Sequence, residues 1–189
     1  MVAARRRPTY RAGVARALLA LVLAAAAVGP AAAQRAPASG GDAVEQRRAD
    51  VARQLLRVGE ELRRELLAGD VRALAARVPP DGLRCAGRMI PRARVQRDLA
   101  TPGSWLHDTL LGAPGARPAQ GGQPASVAEL LRAPEVAMTV SFVNDPRALP
   151  LGRPCLQFRA KDVATPGAPF CFEQRDGRWW FTESLYPCG

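Results

Sequence analysis

The residue types that could do chemistry are few in this chain. Its single histidine, His107, stands near Ser104 and Asp108. A nucleophile, a base and an orienting acid need a spatial arrangement that one short helix does not supply, so His107 is read as a surface histidine. Four cysteines, Cys85, Cys155, Cys171 and Cys188, include no C-x-x-C pair, and one histidine does little to complete a zinc set. Disulfide bonds are therefore expected, with no metal and no cofactor. Gly121-Gly122 has no strand before it and no phosphate-binding lysine after it, so it reads as loop. That leaves two polar residues set among aromatic ones, Gln174 and Glu183. Glu183 is the candidate catalytic group: an acid held beside Phe170 and Phe181 would have a raised pKa and could serve as a base or anchor a polar ligand group. The plainer reading places both at strand ends in water.

The elements that must position these residues follow from periodicity. Val44, Val51, Leu55, Val58, Leu62 and Leu66 recur at helical spacing over Asp42 to Ala68, an amphipathic helix whose other face (Arg47, Arg48, Arg53, Arg57, Glu60, Glu61, Arg63, Arg64) reads as solvated. Gly69 suits the left-handed position that closes a helix, and Asp70 the cap of a second one, Val71 to Val78, stopped by Pro79-Pro80-Asp81-Gly82. Leu83, Cys85 and Met89-Ile90 suggest a short extended segment, and Pro91 opens a helical turn through Leu99. Ser104 caps a short helix, Trp105 to Leu111, with Trp105, Leu106, Leu110 and Leu111 facing inward. The Gly-, Pro-, Ala- and Gln-rich stretch 112–125 reads as a mobile loop, and Ser126 with Glu129 forms a capping-box pattern over Val127 to Arg132.

From Glu135 the period becomes two. Val136, Met138, Val140 and Phe142 alternate with small and polar residues, which predicts a half-buried strand turned by Asn144-Asp145-Pro146. A second strand, Cys155 to Ala160, puts Leu156, Phe158 and Ala160 on one side; 161–167 connects it onward. Pro169 to Gln174 and Arg178 to Tyr186 are joined by Asp176-Gly177, a strong two-residue hairpin signal. With those two as the loop, Arg175 faces Arg178, Gln174 faces Trp179, Phe172 faces Phe181 and Phe170 faces Glu183. One face then holds Phe170, Phe172, Trp179, Phe181 and Leu185, the other Cys171, Glu173, Trp180, Thr182 and Ser184. A slip of one residue would invert the two faces. The layer Met138, Val140, Phe142, Leu156, Phe158, Phe170, Phe172, Trp179 and Phe181 is expected to pack against Leu55, Leu62 and Leu66.

The first 33 residues read as a secretory signal: five arginines, a 12-residue apolar run from Ala17 to Val28, the breakers Gly29-Pro30 and an A-x-A exit. The run is too short to span about 30 Å of hydrocarbon, which disfavours a membrane anchor, and a twin-arginine route fits less well. Cleavage near Ala33 would leave a periplasmic or secreted product of 156 residues, with 34–41 a flexible lead and 42–189 one domain. Of the 27 basic residues five leave with the signal and no acid does, so 22 face 17 acids and the net charge falls from +10 to +5. Lys161 is the only lysine, and the arginines are interleaved with acids rather than gathered with aromatics, so no nucleic-acid partner is expected. No stable membrane span is expected after processing.

A long first helix, the junction Ala68-Gly69-Asp70 and a closing strand carrying Asp-Gly-Arg-Trp-Trp-Phe (Asp176 to Phe181) resemble the nuclear-transport-factor-2-like, or cystatin-like, superfamily. That resemblance implies an α+β fold in which N-terminal helices pack on a curved antiparallel sheet, a cone that can enclose an apolar pocket. Pocket candidates are Trp105, Phe142, Phe158, Phe172, Gln174, Trp179 and Phe181. No catalytic set of the superfamily maps onto this chain, and no wedge motif supports an inhibitor role. Four cysteines allow three connectivities. Cys155 and Cys171 fall on the polar side of adjacent strands and so pair, leaving Cys85 with Cys188; in the resembling fold the early strand lies near the last. Two functions remain: a non-catalytic exported module binding a small apolar ligand or an envelope protein, or an isomerase- or hydratase-like enzyme using Glu183, with Trp105 or Trp180 shaping its pocket. The first is preferred, because so few catalytic residue types are available.

Overall fold

A computed structural model of the chain describes residues 40–85, 87–112, 126–161, 169–182 and 185–186. The expected signal at 1–33, most of the loop expected at 112–125, Glu183, Ser184 and Cys188 lie outside them. Helix α1 runs from Gly40 to Ala68, starting inside the stretch expected to be a flexible lead. Its 29 residues make it about 43 Å long. The apolar stripe is the buried one: Leu55, Val58, Leu62 and Leu66 are buried, and residues 40–54 contribute no buried side chain. Gly69 ends α1 at φ +65°. Asp70 then accepts from the Ala73 amide and opens α2, Val71–Ala76. This helix is two residues shorter than the sequence suggests, because the Arg77 and Val78 N–H groups turn back to the carbonyls three residues before them, those of Leu74 and Ala75, ahead of Pro79-Pro80.

Strands β1 (Leu83–Cys85) and β2 (Arg88–Ile90) form a small antiparallel pair with Leu83 opposite Ile90. Pro91 leads into α3, Arg92–Ala100. Helix α4, Trp105–Leu110, is capped by Ser104, whose Oγ accepts from the His107 N–H. Leu106 and Leu110 are its buried residues, four apart on one stripe. Trp105, expected to face inward with them, is 42% exposed, since it sits about 100° round the helix from Leu106. Leu111 caps the helix half-buried. Helix α5, Val127–Leu130, is capped by Ser126 as expected but ends two residues early.

The main sheet is an antiparallel meander in the order β3-β4-β5-β6: Val136–Val143, Arg153–Ala160, Phe170–Arg175 and Arg178–Phe181. Helices with antiparallel sheets make this an α+β fold. In β3 every second residue from Val136 is half-buried and the others exposed, the alternation its sequence predicts. Asp176 and Gly177 both have positive φ, 52° and 75°, the geometry of a type I′ turn. The register that follows is the expected one: Arg175 opposite Arg178, Gln174 opposite Trp179, Phe172 opposite Phe181. β6 ends at Phe181 rather than at Tyr186. The Thr182 N–H still reaches the Cys171 carbonyl, but the Leu185 N–H turns back to Thr182, so the ladder stops. Phe170 is registered against Leu156 of β4, and its expected partner Glu183 lies outside the described residues.

Helix α1 lies across β3 and β4. Gly59 allows the close crossing: a Cβ there would sit 2.8 Å from Met138 Sδ and 3.0 Å from the Leu156 methyls. Leu55, Leu62, Leu66, Leu156, Phe158, Phe170, Phe172 and Phe181 belong to one core, with Met138, Val140 and Trp179 partly buried against it. The polar face of α1 is not all solvated surface. Glu65 holds Arg77 through two bonds of 2.6 and 2.8 Å, Glu61 adds a third at 3.1 Å, and the Arg77 carbonyl accepts from the Phe181 N–H. Arg77 thereby fastens α1, α2 and the end of β6 together.

Candidate functional site

The strand register puts Phe172, Trp179 and Phe181 on one face, which borders a cavity of about 510 Å³, within the range of small-molecule sites. Val51 of α1, Leu83 of β1, Met89 of β2, Phe142 of β3 and the aromatic residues of β5 and β6 supply its apolar lining. The connection between β3 and β4 supplies another wall, folded around Asp145. Its Oδ1 accepts from the Arg147 N–H at 2.9 Å and from Arg147 Nε at 3.2 Å, while Oδ2 accepts from Arg153. These bonds, led by the Arg147 backbone N–H, hold the Asp145 carboxyl below its ordinary pKa, so it stays ionised at neutral pH. Gly152 brings the connection back with φ +81°, where a Cβ would lie 2.7 Å from the Val143 carbonyl oxygen. Arg48 of α1 donates to the Leu151 carbonyl at 3.1 Å, its guanidinium 5.5 Å from the Phe142 ring centroid.

Of the residues expected to line a pocket, Phe142, Phe172, Gln174, Trp179 and Phe181 do so together. Gln174 is exposed at the mouth and donates to Gln54 at 3.4 Å. Phe142, also expected in the core layer, stands at the layer's edge as a half-buried wall residue. Two candidates do not line the cavity. Phe158 is 2% exposed and packs edge-on against Phe170 inside the core, because β4 is an inner strand beneath α1. Trp105 stacks on Tyr186 at 6.4 Å, and the Tyr186 hydroxyl donates to Asp98 at 2.7 Å. Burial, then that bond, raises the Tyr186 pKa.

Sequence reasoning missed the charged part of the lining: Arg84, Asp145, Arg147, Arg153, Glu173 and Arg175. Arg175 bridges Asp81 at 3.2 Å and Glu173 at 2.5 Å. Asp145 carried a usable signal, since an Asp that accepts from the N–H two residues on forms an Asx turn. Ser104, His107 and Asp108 do not form a triad. The Ser104 hydroxyl caps α4 and donates to the Asp98 carbonyl, and the His107 Nδ1 lies 3.5 Å from Asp108 on the same helix.

Cys155 and Cys171 are directly opposite in the register, 3.9 Å apart at Cα, and joined by a disulfide on the face away from α1. Cys85 is also disulfide-bonded; its expected partner, Cys188, lies outside the described residues. Among the described residues no helix is long and apolar enough to cross a membrane. Comparison of the chain with protein-family models, with curated proteins and with solved structures finds no match.

Proposed function

We propose that this chain is a non-catalytic, exported binding module of nuclear-transport-factor-2-like type that takes a small, largely apolar ligand into the cavity beneath the β5–β6 hairpin. The observation that carries this reading is the lining itself: aromatic walls with ion-paired carboxylates. A general base at neutral pH needs a raised pKa and access to its proton, whereas Asp145 is lowered and engaged by two arginines. Glu173 is likewise engaged by Arg175, and the Thr182 hydroxyl donates to the Cys171 carbonyl. These commitments favour binding over an isomerase- or hydratase-like reaction. N-phenyl-1-naphthylamine, a neutral dye that brightens in apolar surroundings, tests the site. Enhancement with the native protein and about tenfold weaker binding by Phe142→Ser are expected, since that change removes a half-buried wall residue at the edge of the sheet layer and leaves the buried core residues in place. No enhancement, or affinity unchanged by Phe142→Ser, would overturn the reading.

Export rests on the arginine-led apolar run ending at Ala33 and agrees with the disulfides at Cys155, Cys171 and Cys85. Intact mass of the protein recovered from the periplasm or medium is expected to correspond to a chain starting at Gln34. A chain retaining Met1 to Ala33 in the membrane fraction would contradict it.

A further inference from the structure

We propose that the outer edge of β3 is a self-association surface, on which a second copy of this chain pairs its own β3 antiparallel about a two-fold axis. The inference is separate from the cavity and its ligand. The four-stranded sheet ends in β3 on one side and β6 on the other. β6 has four residues, and the Phe181 N–H on its outer side is taken by the Arg77 carbonyl. β3 has eight residues and no such cover. The Lys161 N–H donates to the Glu135 carbonyl, which fixes the alternation along the strand. Ala137, Thr139, Ser141 and Val143 turn their N–H and C=O groups to β4, and Val136, Met138, Val140 and Phe142 turn theirs outward. Among the described residues those outward groups have no hydrogen-bond partner. The strand Val-Ala-Met-Thr-Val-Ser-Phe-Val also lacks the charges and prolines by which exposed edges are kept from pairing.

The edge is self-complementary. The residues with outward backbone groups are also the half-buried apolar ones. Antiparallel hydrogen-bonded pairs exchange both groups between residues directly opposite, so self-pairing sets apolar side chains against apolar ones. An axis at Thr139 uses all four: Val136 meets Phe142, Met138 meets Val140, and Glu135 falls opposite Val143 rather than another charge. Leu56 of α1 adds an independent observation, since it is a large apolar side chain left 40% exposed. It lies about 200° round the helix from both Gln54 and Val58, which face Gln174 and Trp179, and so projects toward the open edge. Gly59 against Met138 and Arg48 beside Phe142 set Leu56 level with the middle of β3. Pairing therefore brings the two Leu56 side chains together above the seam. A strip eight residues long with a helix above it buries on the order of 1,000 Å² over both copies, the low end for specific association. Because each copy uses the same edge, the assembly closes as a dimer.

Sedimentation of the protein between about 1 and 100 µM tests this, with a monomer–dimer equilibrium expected at a dissociation constant on the order of 10 µM. Val140→Pro removes an outward N–H and no bond to β4, so it should weaken dimerisation about tenfold or more while the protein stays folded. Thr139→Cys locates the axis. Non-hydrogen-bonded residues opposite each other lie about 4.5 Å apart at Cα, within disulfide reach, as at Cys155 and Cys171. Oxidation of Thr139→Cys should give a covalent dimer on a non-reducing gel. Ser141→Cys, about 13 Å from its own counterpart in this register, should not. A protein that stays monomeric to 100 µM would overturn the proposal and leave the edge to an extended segment of another protein. A dimer that persists in folded Val140→Pro, or that oxidises no faster through Thr139→Cys than through Ser141→Cys, would overturn the assignment to this edge. Thr139→Cys changes only an exposed side chain, so it decides the matter even where Val140→Pro does not fold.

Discussion

Phe172→Ala and Phe181→Ala should each lower folding stability by about 3 to 5 kcal/mol, a large share of what a domain of this size possesses. Both rings are closed off from water, at 0% and 1% exposure, and their centroids lie 5.4 Å apart across the β5–β6 register. Truncating either leaves a cavity between the sheet and α1 as well as removing buried area. Trp180 is the control because it lies between them in the pattern yet faces the other way. It is half-buried, with the Arg178 guanidinium 4.4 Å from its ring centroid. Trp180→Ala should therefore cost on the order of 1 kcal/mol. Urea unfolding of the three variants decides the matter. A larger loss for Trp180→Ala than for Phe181→Ala would mean that the strand is inverted.

Removal of the Cys155–Cys171 bond by paired alanine substitutions should cost about 3 kcal/mol, on the chain-entropy account of a loop closed over 16 residues. The location makes the effect local as well as global. β3 and β4 are registered along eight residue pairs and β5 and β6 along four, but β4 and β5 along only Cys155 opposite Cys171 and Leu156 opposite Phe170. The disulfide thus staples the narrowest junction of the sheet. The cavity takes Arg153 and Pro154 from one side of that junction and Phe172 to Arg175 from the other. Dye binding should accordingly weaken in parallel with stability. A stability change below about 1 kcal/mol would show that pairing elsewhere already holds the two strands.

The β-hairpin was legible because Asp176-Gly177 states its own geometry: two consecutive positive φ angles fix which residues face each other. From there the aromatic face, the facing cysteines and the packing against Leu55, Leu62 and Leu66 follow from alternation alone. Helix ends were less legible. Whether α2 stops at Ala76 or Val78 depends on whether the Arg77 and Val78 N–H groups bond three residues back, as they do here, or four, a choice that periodicity does not encode. The charged wall of the cavity was not legible at all. Arginine occurs throughout this chain, so Arg84, Arg147, Arg153 and Arg175 stood out from no background; they come to one cavity from β1, the β3–β4 connection, β4 and β5, elements far apart in sequence. Phe158 and Trp105 misled for a related reason: an aromatic residue on a suitable element says nothing of whether its strand is central or its turn of helix exposed.

Helix α1 is anchored unevenly, and in kinetic terms this divides it into two parts. From Leu55 onward, opening it means breaking the core. Before that point no side chain is buried, and among the described residues tertiary anchorage includes Arg48 on the Leu151 carbonyl and beside Phe142, the partly covered Val51, and Gln54 accepting from Gln174. The free energy of local opening therefore falls toward zero along these first turns, on the microsecond-to-millisecond scale of such motions. Because Val51 and Leu151 both border the cavity, each fraying event loosens its rim. Passage in and out would then be paced by the unwinding of a helix end, so that ligand residence time and helix stability become linked quantities.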